Sequence, residues 1–600
     1  MSGSHAGERR ARRLAHPVRW IVLGLVIVLV ALVAWIGIRG WLASEHLKRA
    51  VPLADTVQSQ VLSGDGAAAL RSARELQGEV HAARDLTGDI VWRGAEVVPF
   101  VGDDLRAVRQ VSEALSGVAD DAIVPVSTIA STVGVDAFKP VDGAINLQPL
   151  VDAQPAIDKA DGALKRELAR ASSIDADGTV GPVRDAVRQL VDVLTKASGQ
   201  VDTVARAVDL APAMLGADGP REYLVLFQNN AELRATGGNP GATALLRADG
   251  GKLSLVQQAS SGDFPRLDQP ALPLPVETQG LYGAITGQFI QDVNLTPQFP
   301  LSAQLAAEMW KRQFGTSVDG VLSIDPVALS YLLTATGPIT LPTGDVITSE
   351  NVVSLLLNDV YKRYAKPADQ DLFFEGTAAG VFSAVSSGNL DPKALVAALA
   401  KAGEERRVYL WSADTTQQAR IAETTLAGEL PTSTEKEPRF GVYLNDGTGS
   451  KMDYYLGVSI AVGQAVCRQD GRPTYVVDVT LTNNAPADAA TSLPTYITGG
   501  GAFGTPAGLI STNVSIYAPK DGVFVQAVND GKPAALQTAT DTGLSVAQFQ
   551  STLSPGQSTT WRLEFLGGAA GTGMPSIEKT PLVNQTETKE LNVSCESPLT

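Results

Sequence analysis

Six hundred residues exceed what one hydrophobic core supports and predict three or four folded units. With 48 basic against 64 acidic side chains the formal net charge is -16, which removes any global attraction to nucleic acid, and no nucleic-acid motif is present. Hydrophobic residues make up 44% and charged residues 19%, a globular balance that excludes a disordered chain.

The rare residues narrow the chemistry. His5, His16, His46 and His81 are the only histidines, and Cys467 and Cys595 the only cysteines. Between Ala82 and Val466 there is neither, so Ser-His-Asp and Cys-His nucleophiles and zinc sites built on His or Cys are excluded there.

Taken in chain order, residues 1–20 form a basic tail with Arg9, Arg10, Arg12, Arg13 and Arg19, followed by the uncharged run 21–38. As a helix that run spans roughly 27 Å at about 1.5 Å per residue, the thickness of a bilayer core. Trp20, Trp35 and Trp41 lie near its two ends. The positive-inside rule predicts a cytoplasmic N-terminus and an exported remainder. A cleaved signal peptide is the competing reading, but the run is longer than a usual signal h-region. Export permits a Cys467–Cys595 bridge, with two separate buried thiols as the alternative.

Residues 41–215 place apolar side chains at three- and four-residue spacing, as in "AAALRSARELQGEVHAARDL", and predict a helical bundle or stalk. Pro99, Pro125, Pro140 and Pro149 divide it into separate helices. From 220 to 438 strands alternate with helices: "REYLVLFQNN", "ATALLRADGGKLSLVQQAS", the helix "SAQLAAEMWKRQF" capped by Thr296, Ser302 or their neighbours, and strand Gly320–Ile324. A helix then starts at Asp325-Pro326, stops at Gly337-Pro338, and another starts with Ser349 as cap. Asp325 reads as a helix cap before it reads as a metal ligand. From 439 to 600 short alternating runs separated by turn residues predict an immunoglobulin-like β-sandwich. The fold class is multidomain α+β: transmembrane helix, helical stalk, α/β sandwich core and C-terminal β-sandwich.

The blocks "FQNNAELRATGGNPGATALL", "VDGVLSIDPVALSYLLTATGPITL" and "NDGTGSKMDYYL" together resemble a bacterial family known as domain of unknown function 4012. That resemblance runs from about Ala54 to Leu456 and implies a cell-envelope setting associated with polysaccharides. In layout the chain is also similar to the LytR–CpsA–Psr transferases, which move glycopolymers from a lipid pyrophosphate to the cell wall. On that similarity Arg234 matches their first arginine, Asp263 the acid of their second block and Arg363 an arginine of their third, in a family that uses arginines for pyrophosphate and carboxylates for magnesium. The chain departs where Ala235-Thr236 follow Arg234, since the transferases place a serine and a metal-binding aspartate there. Magnesium is therefore implied only if the chain is transferase-like.

The candidate ligand-binding residues are Asn229, Asn230, Glu232, Arg234, Gly237, Gly238, Asp263 and Arg363. Arg234 and the amides at Gly237-Gly238 suit an anion, as a charged fork beside a backbone nest. The competing reading pairs Glu232 with Arg234, closes an Asx turn at the asparagines and uses the glycines for positive φ. Asp263 reads as a turn residue before it reads as a site, Arg363 as a helix-end cation, and Lys451 and Asp453 as a local pair. The expected function is surface glycopolymer assembly or anchoring through an anionic or lipid-linked carbohydrate. A non-catalytic envelope scaffold is the alternative, and catalysis is left undecided.

Overall fold

The computed structural model describes residues 8–132, 139–141, 143–388, 390–434, 437–568, 573–584, 586 and 588–595, with side chains from Arg19 onward except at position 62. Two compact units form: 1–137 with 147–212, and 138–146 with 213–600.

The first unit is helical. Helix Glu8–Ser63 carries the uncharged run and is long and apolar enough to cross a membrane. The chain reverses at Gly64, where φ is 80°, and Asp65 caps the next helix by accepting from the Ala68 amide at 3.0 Å. Helix Gly66–Thr87 then runs back against the first through small buried residues, among them Ala50, Ala69, Ala73 and Ala83, which permit close approach. Helices Gly102–Val118 and Gln148–Ser172 and the helix that starts at Gly181 enclose Val111, Leu164, Leu190 and Leu194. Pro149 opens a helix, as expected. Pro125 does not divide one: a wide turn at Ala119–Ile123 carries the chain directly into Val124–Thr132. That π-type turn absorbs the missing proline donor without a break.

The second unit has three main sheets. Strands β1 (Arg221–Asn229), β2 (Asn239–Asp249) and β3 (Lys252–Ser260) form an antiparallel meander. β4 (Gly320–Ile324) joins β1 in parallel after helix Phe299–Phe314. β5 (Ile339–Thr340) and β6 (Val346–Ile347) make a small hairpin, and β7 (Val408–Ser412) closes the sheet beside β4, in the order β3-β2-β1-β4-β7. Leu224 and Leu226 of β1 pack with Phe299 and Trp310 of the helix.

The remaining strands are β8 (Arg439–Asp446), β9 (Leu456–Ala465), β10 (Thr474–Asn483), β11 (Ile510–Tyr517), β12 (Val523–Asn529), β13 (Lys532–Pro533), β14 (Gln537–Asp541), β15 (Leu544–Leu553), β16 (Ser558–Leu566), β17 (Ser576–Lys579) and β18 (Thr588–Glu590). They form sheets β13-β12-β16-β10-β9-β18 and β14-β15-β11-β8-β17. Phe440 meets Phe565 edge-on at 5.4 Å, and Phe549 stacks on Trp561 at 4.3 Å, which fills the space between the sheets. The same core continues into Leu333, Val360, Tyr361 and Phe373 of the helices after β4. The boundary near 439 thus separates layers inside one compact unit. Cys467 and Cys595 are bridged, with Cα atoms 5.4 Å apart, and tie the chain after β9 to the chain after β18.

Two expected caps are corrected. Helix Phe299–Phe314 begins after Gln298, with Ser302 inside it and Thr296 accepting from the Gln298 amide at 3.3 Å. At the later helix Thr348, not Ser349, accepts from the Glu350 and Asn351 amides. Asp325 caps as expected, accepting from the Ala328 amide at 2.7 Å.

Candidate functional site

The pairing of β1 with β2 slips after Phe227: Phe227 faces Ala242, but Gln228 faces Pro240. The resulting bulge turns the chain out of the sheet at Asn229. The loop is then closed by its own backbone. Glu232 N–H donates to Asn229 O at 3.1 Å, Gly237 N–H to Arg234 O at 2.8 Å, and Asn239 N–H to Glu232 O at 2.9 Å. The glycines serve closeness. A Cβ at Gly238 would stand 2.2 Å from the Asn229 carbonyl carbon, and one at Gly237 would stand 2.3 Å from Gln228 Oε1. The Gly238 amide is already committed to Gln228 Oε1 at 2.9 Å. No open backbone nest remains there.

The groups of this loop point inward and meet several distant segments. Asn230 donates to Asp325 Oδ2 at 3.1 Å and to Pro581 O at 3.2 Å, while Arg407 donates to the same Asp325 oxygen at 2.8 Å. Asn229 donates to the Tyr361 hydroxyl. On the other side, Leu233 N–H donates to Asp453 Oδ2 at 2.9 Å and Asp446 N–H to Leu233 O at 2.9 Å. Asp453 N–H donates to Ala231 O at 3.0 Å, and Ala235 N–H to Asn445 Oδ1 at 2.9 Å. The loop therefore hydrogen-bonds across the whole junction between the mixed sheet and the β-sandwich.

Charge is concentrated at the centre. Arg234 Nη2 lies 3.1 Å from Glu232 and 2.9 Å from Asp292, and only 7% of the residue is exposed. Glu232 also holds Lys451, whose Nζ sits 5.8 Å from the centre of the Tyr496 ring, itself stacked on Tyr361 at 5.3 Å. Burial alone would raise the Glu232 carboxyl, but Lys451 and Arg234 hold it down to about 2. Burial and then the Glu232 charge push Asp446 up to about 6, although it accepts from the Thr448, Gly449 and Ser450 amides. Burial and Asp446 push Asp453 well above the carboxylate range. Two cations, Arg234 and Lys451, thus face four carboxyl groups, so the cluster has no surplus positive charge for an anion.

The structure brings Asn229, Asn230, Glu232, Arg234, Gly237 and Gly238 together as expected, but in the interior. The expected rim of a cleft is corrected on this point: Arg234 is enclosed by its acid partners. Asp263 lies outside the cluster, accepting from Ser260 N–H at 2.8 Å in a turn closing β3, and Arg363 pairs with Asp345 at 2.6 Å. The expected Lys451–Asp453 pair is also corrected, since each reaches back to the β1–β2 loop instead. Asp292, Asn294, Asn445, Asp446, Lys451 and Asp453 were not among the sequence candidates. The resemblance block "NDGTGSKMDYYL" was the only signal for four of them. Among the described residues no three His, Cys, Asp or Glu side chains are grouped to hold a metal.

These segments define what the chain is similar to. Residues 218–361 match the model of the family described as protein of unknown function DUF4012. No curated protein and no solved structure matches the chain. The DUF4012 match spans β1 to β6 and ends at Tyr361, the partner of Asn229. It contains the Asn230–Asp325 and Arg234–Asp292 contacts, whereas Lys451 and Asp453 lie beyond it. The LytR-like layout receives no support from these matches.

Proposed function

We propose that the protein is a membrane-tethered, non-catalytic scaffold of the cell envelope, with a cytoplasmic N-terminus and its bulk outside. The carrying observation is Arg234, buried between Glu232 and Asp292 at the junction of the mixed sheet and the β-sandwich. A buried, mutually paired network of this kind fixes two layers in one arrangement, which suits a body that presents surfaces to partners. The basic tail, the apolar helix and the disulfide support the exported setting.

Glycopolymer binding is the second reading, and one observation favours it. Arg234 Nε and the side-chain oxygens Asn239 Oδ1 and Asn294 Oδ1 are buried without partners among the described residues, groups that a sugar hydroxyl or water would satisfy. An anionic or lipid-linked carbohydrate at Arg234 would extend the network through these atoms.

The discriminating experiment measures the melting temperature of the full chain in detergent, alone and with millimolar pyrophosphate or sugar phosphate, for wild type and Arg234→Lys. The scaffold reading expects a lower melting temperature for the variant and no ligand shift for wild type. A ligand-dependent rise in wild type that Arg234→Lys abolishes, with its own stability intact, would establish the carbohydrate reading instead.

A further inference from the structure

The long first helix and its neighbour place one exposed apolar turn in an informative position. Helix Gly66–Thr87 runs antiparallel to helix Glu8–Ser63, and its 22 residues descend roughly 33 Å at about 1.5 Å per residue. It ends beside the outer end of the apolar run. Arg39 Nε donates to Leu86 O at 2.7 Å and Nη2 to Asp85 O at 2.6 Å. Asp89 then accepts from Trp35 Nε1 at 3.2 Å and pairs with Arg39 at 3.0 Å. Trp92 is buried with its ring 3.4 Å from the Cβ position of Gly40. The short helix Ile90–Ala95 and the turn up to Val101 are thereby fixed at the level of Trp35 to Gly40.

That turn is apolar on its outside. Phe100 is 98% exposed, Ile90 87% and Val97 81%, with Val98 and Val101 half exposed. Phe100 holds φ at 70°, a region bulky side chains rarely adopt, and its ring stands away from the protein. The turn is firm: Glu96 takes both Arg109 Nε at 2.6 Å and Arg109 Nη2 at 3.1 Å, and Gly102 N–H donates to Val98 O at 2.8 Å. A rigid loop with an outward Phe, Ile and Val set has no place in water, yet adjoins the end of a membrane-length helix.

We propose that the turn from Ile90 to Val101 is a second, shallow membrane contact, seating Phe100, Val97 and Ile90 among lipid headgroups and upper acyl chains beside the spanning helix. The occupant is the bilayer, because the Trp35–Asp89–Arg39 contacts hold the exposed apolar turn beside the end of the exposed apolar helix surface, which reaches Ile38. Interfacial seating of aromatic and aliphatic side chains at that depth is ordinary membrane physics. Two contacts rather than one would hold the helical bundle at a fixed tilt over the membrane.

The inference rests on helix 8–63 crossing the bilayer, and the test separates the two. Single cysteines F100C and V97C, with L29C inside the apolar run and S59C far along the helix, are labelled with a nitrobenzoxadiazole dye in the full chain. The native cysteines are bridged, so only the new thiol reacts. The proteins are reconstituted into phosphatidylcholine–phosphatidylglycerol vesicles and quenched by brominated lipid or by aqueous iodide. Labels at positions 100 and 97 should be quenched severalfold more by brominated lipid, and severalfold less by iodide, than the label at position 59. If both behave like position 59 while position 29 is lipid-quenched, the helix spans but the turn does not touch lipid. If both are shielded from iodide and lipid alike, protein covers the turn and the proposal fails. If position 29 itself escapes lipid quenching, the spanning helix fails and the second contact with it.

Discussion

Replacing Arg234 by Met keeps most of its volume and removes its charge, which makes it the sharpest test of the central cluster. Glu232 would keep Lys451 and the Asn239 amide, but Asp292 would lose Arg234, the only cation among the described residues that its hydrogen bonds and ion pairs reach. Removing one partner of a buried pair costs about 3–5 kcal/mol, because the other charge is left uncompensated. For a cooperative unit of roughly 400 residues the unfolding entropy near the transition is about 0.8 kcal/mol/K, so the melting temperature should fall by about 4–6 °C. Arg234→Lys should fall less, by about 1–3 kcal/mol, since one ammonium cannot reproduce the fork shared between Glu232 and Asp292. Adding Asp292→Asn to Arg234→Met should restore part of the loss, and a double-mutant cycle in urea, read by tryptophan fluorescence, measures the coupling. A melting temperature within 1 °C of wild type for Arg234→Met would refute the reasoning.

Gly238→Ala should lower stability by about 2 kcal/mol or more through backbone overlap at Asn229, whereas Gly241→Ala, with nothing within 4 Å of its Cβ, should be tolerated; thermal melts of the two decide it. Protease added to spheroplasts should digest the chain beyond the apolar run, and full protection of the C-terminal sheets would reverse the proposed orientation. The cluster should give stability a maximum near pH 4–5. Glu232, held down to about 2, contributes stability present above its unfolded value near 4.5 and lost as pH falls through 2. Asp446, pushed up to about 6, contributes stability present below about 4 and lost as pH rises through 6. Urea melts of Asp446→Asn from pH 3 to 8 should show a weaker upper limb, the remainder belonging to Asp453 and Asp292, which are also raised. An unchanged profile would show that Asp446 titrates normally in the fold.

The sequence reports local geometry well because its signals are local. Asp325-Pro326 marks a helix start through the fixed proline φ and an oxygen one turn from the Ala328 amide, and strand Gly320–Ile324 is a short apolar run before it. The disulfide was legible because the sequence has only two cysteines and both follow the apolar run, on the side where export was expected. Ser349 failed as a cap because Thr348, Ser349 and Asn351 all carry oxygens at suitable offsets, and only the entry angle of the chain selects Thr348. The partners of Lys451 and Asp453 failed for a different reason. They lie 219 and 220 residues away, and no periodicity or spacing encodes a contact at that separation.

That separation also gives the resemblance blocks a physical meaning. The stretch from Leu226 to Gly238 supplies the loop, the stretch from Asp319 to Leu341 supplies Asp325, and the stretch from Ser450 to Tyr455 supplies Lys451 and Asp453. Read separately, each block offers a charged residue that suggests a site. Folded together, Asn230 holds Asp325, Glu232 holds Lys451 and Leu233 holds Asp453. The polar groups crowded between β1 and β2 answer to three chain segments at once, which is why a simple turn would not serve. An isolated buried Arg or Glu is costly, so each member is tolerable only while the others are in place. The junction therefore assembles as one body or not at all, and substitutions within it should act on stability before they act on any ligand.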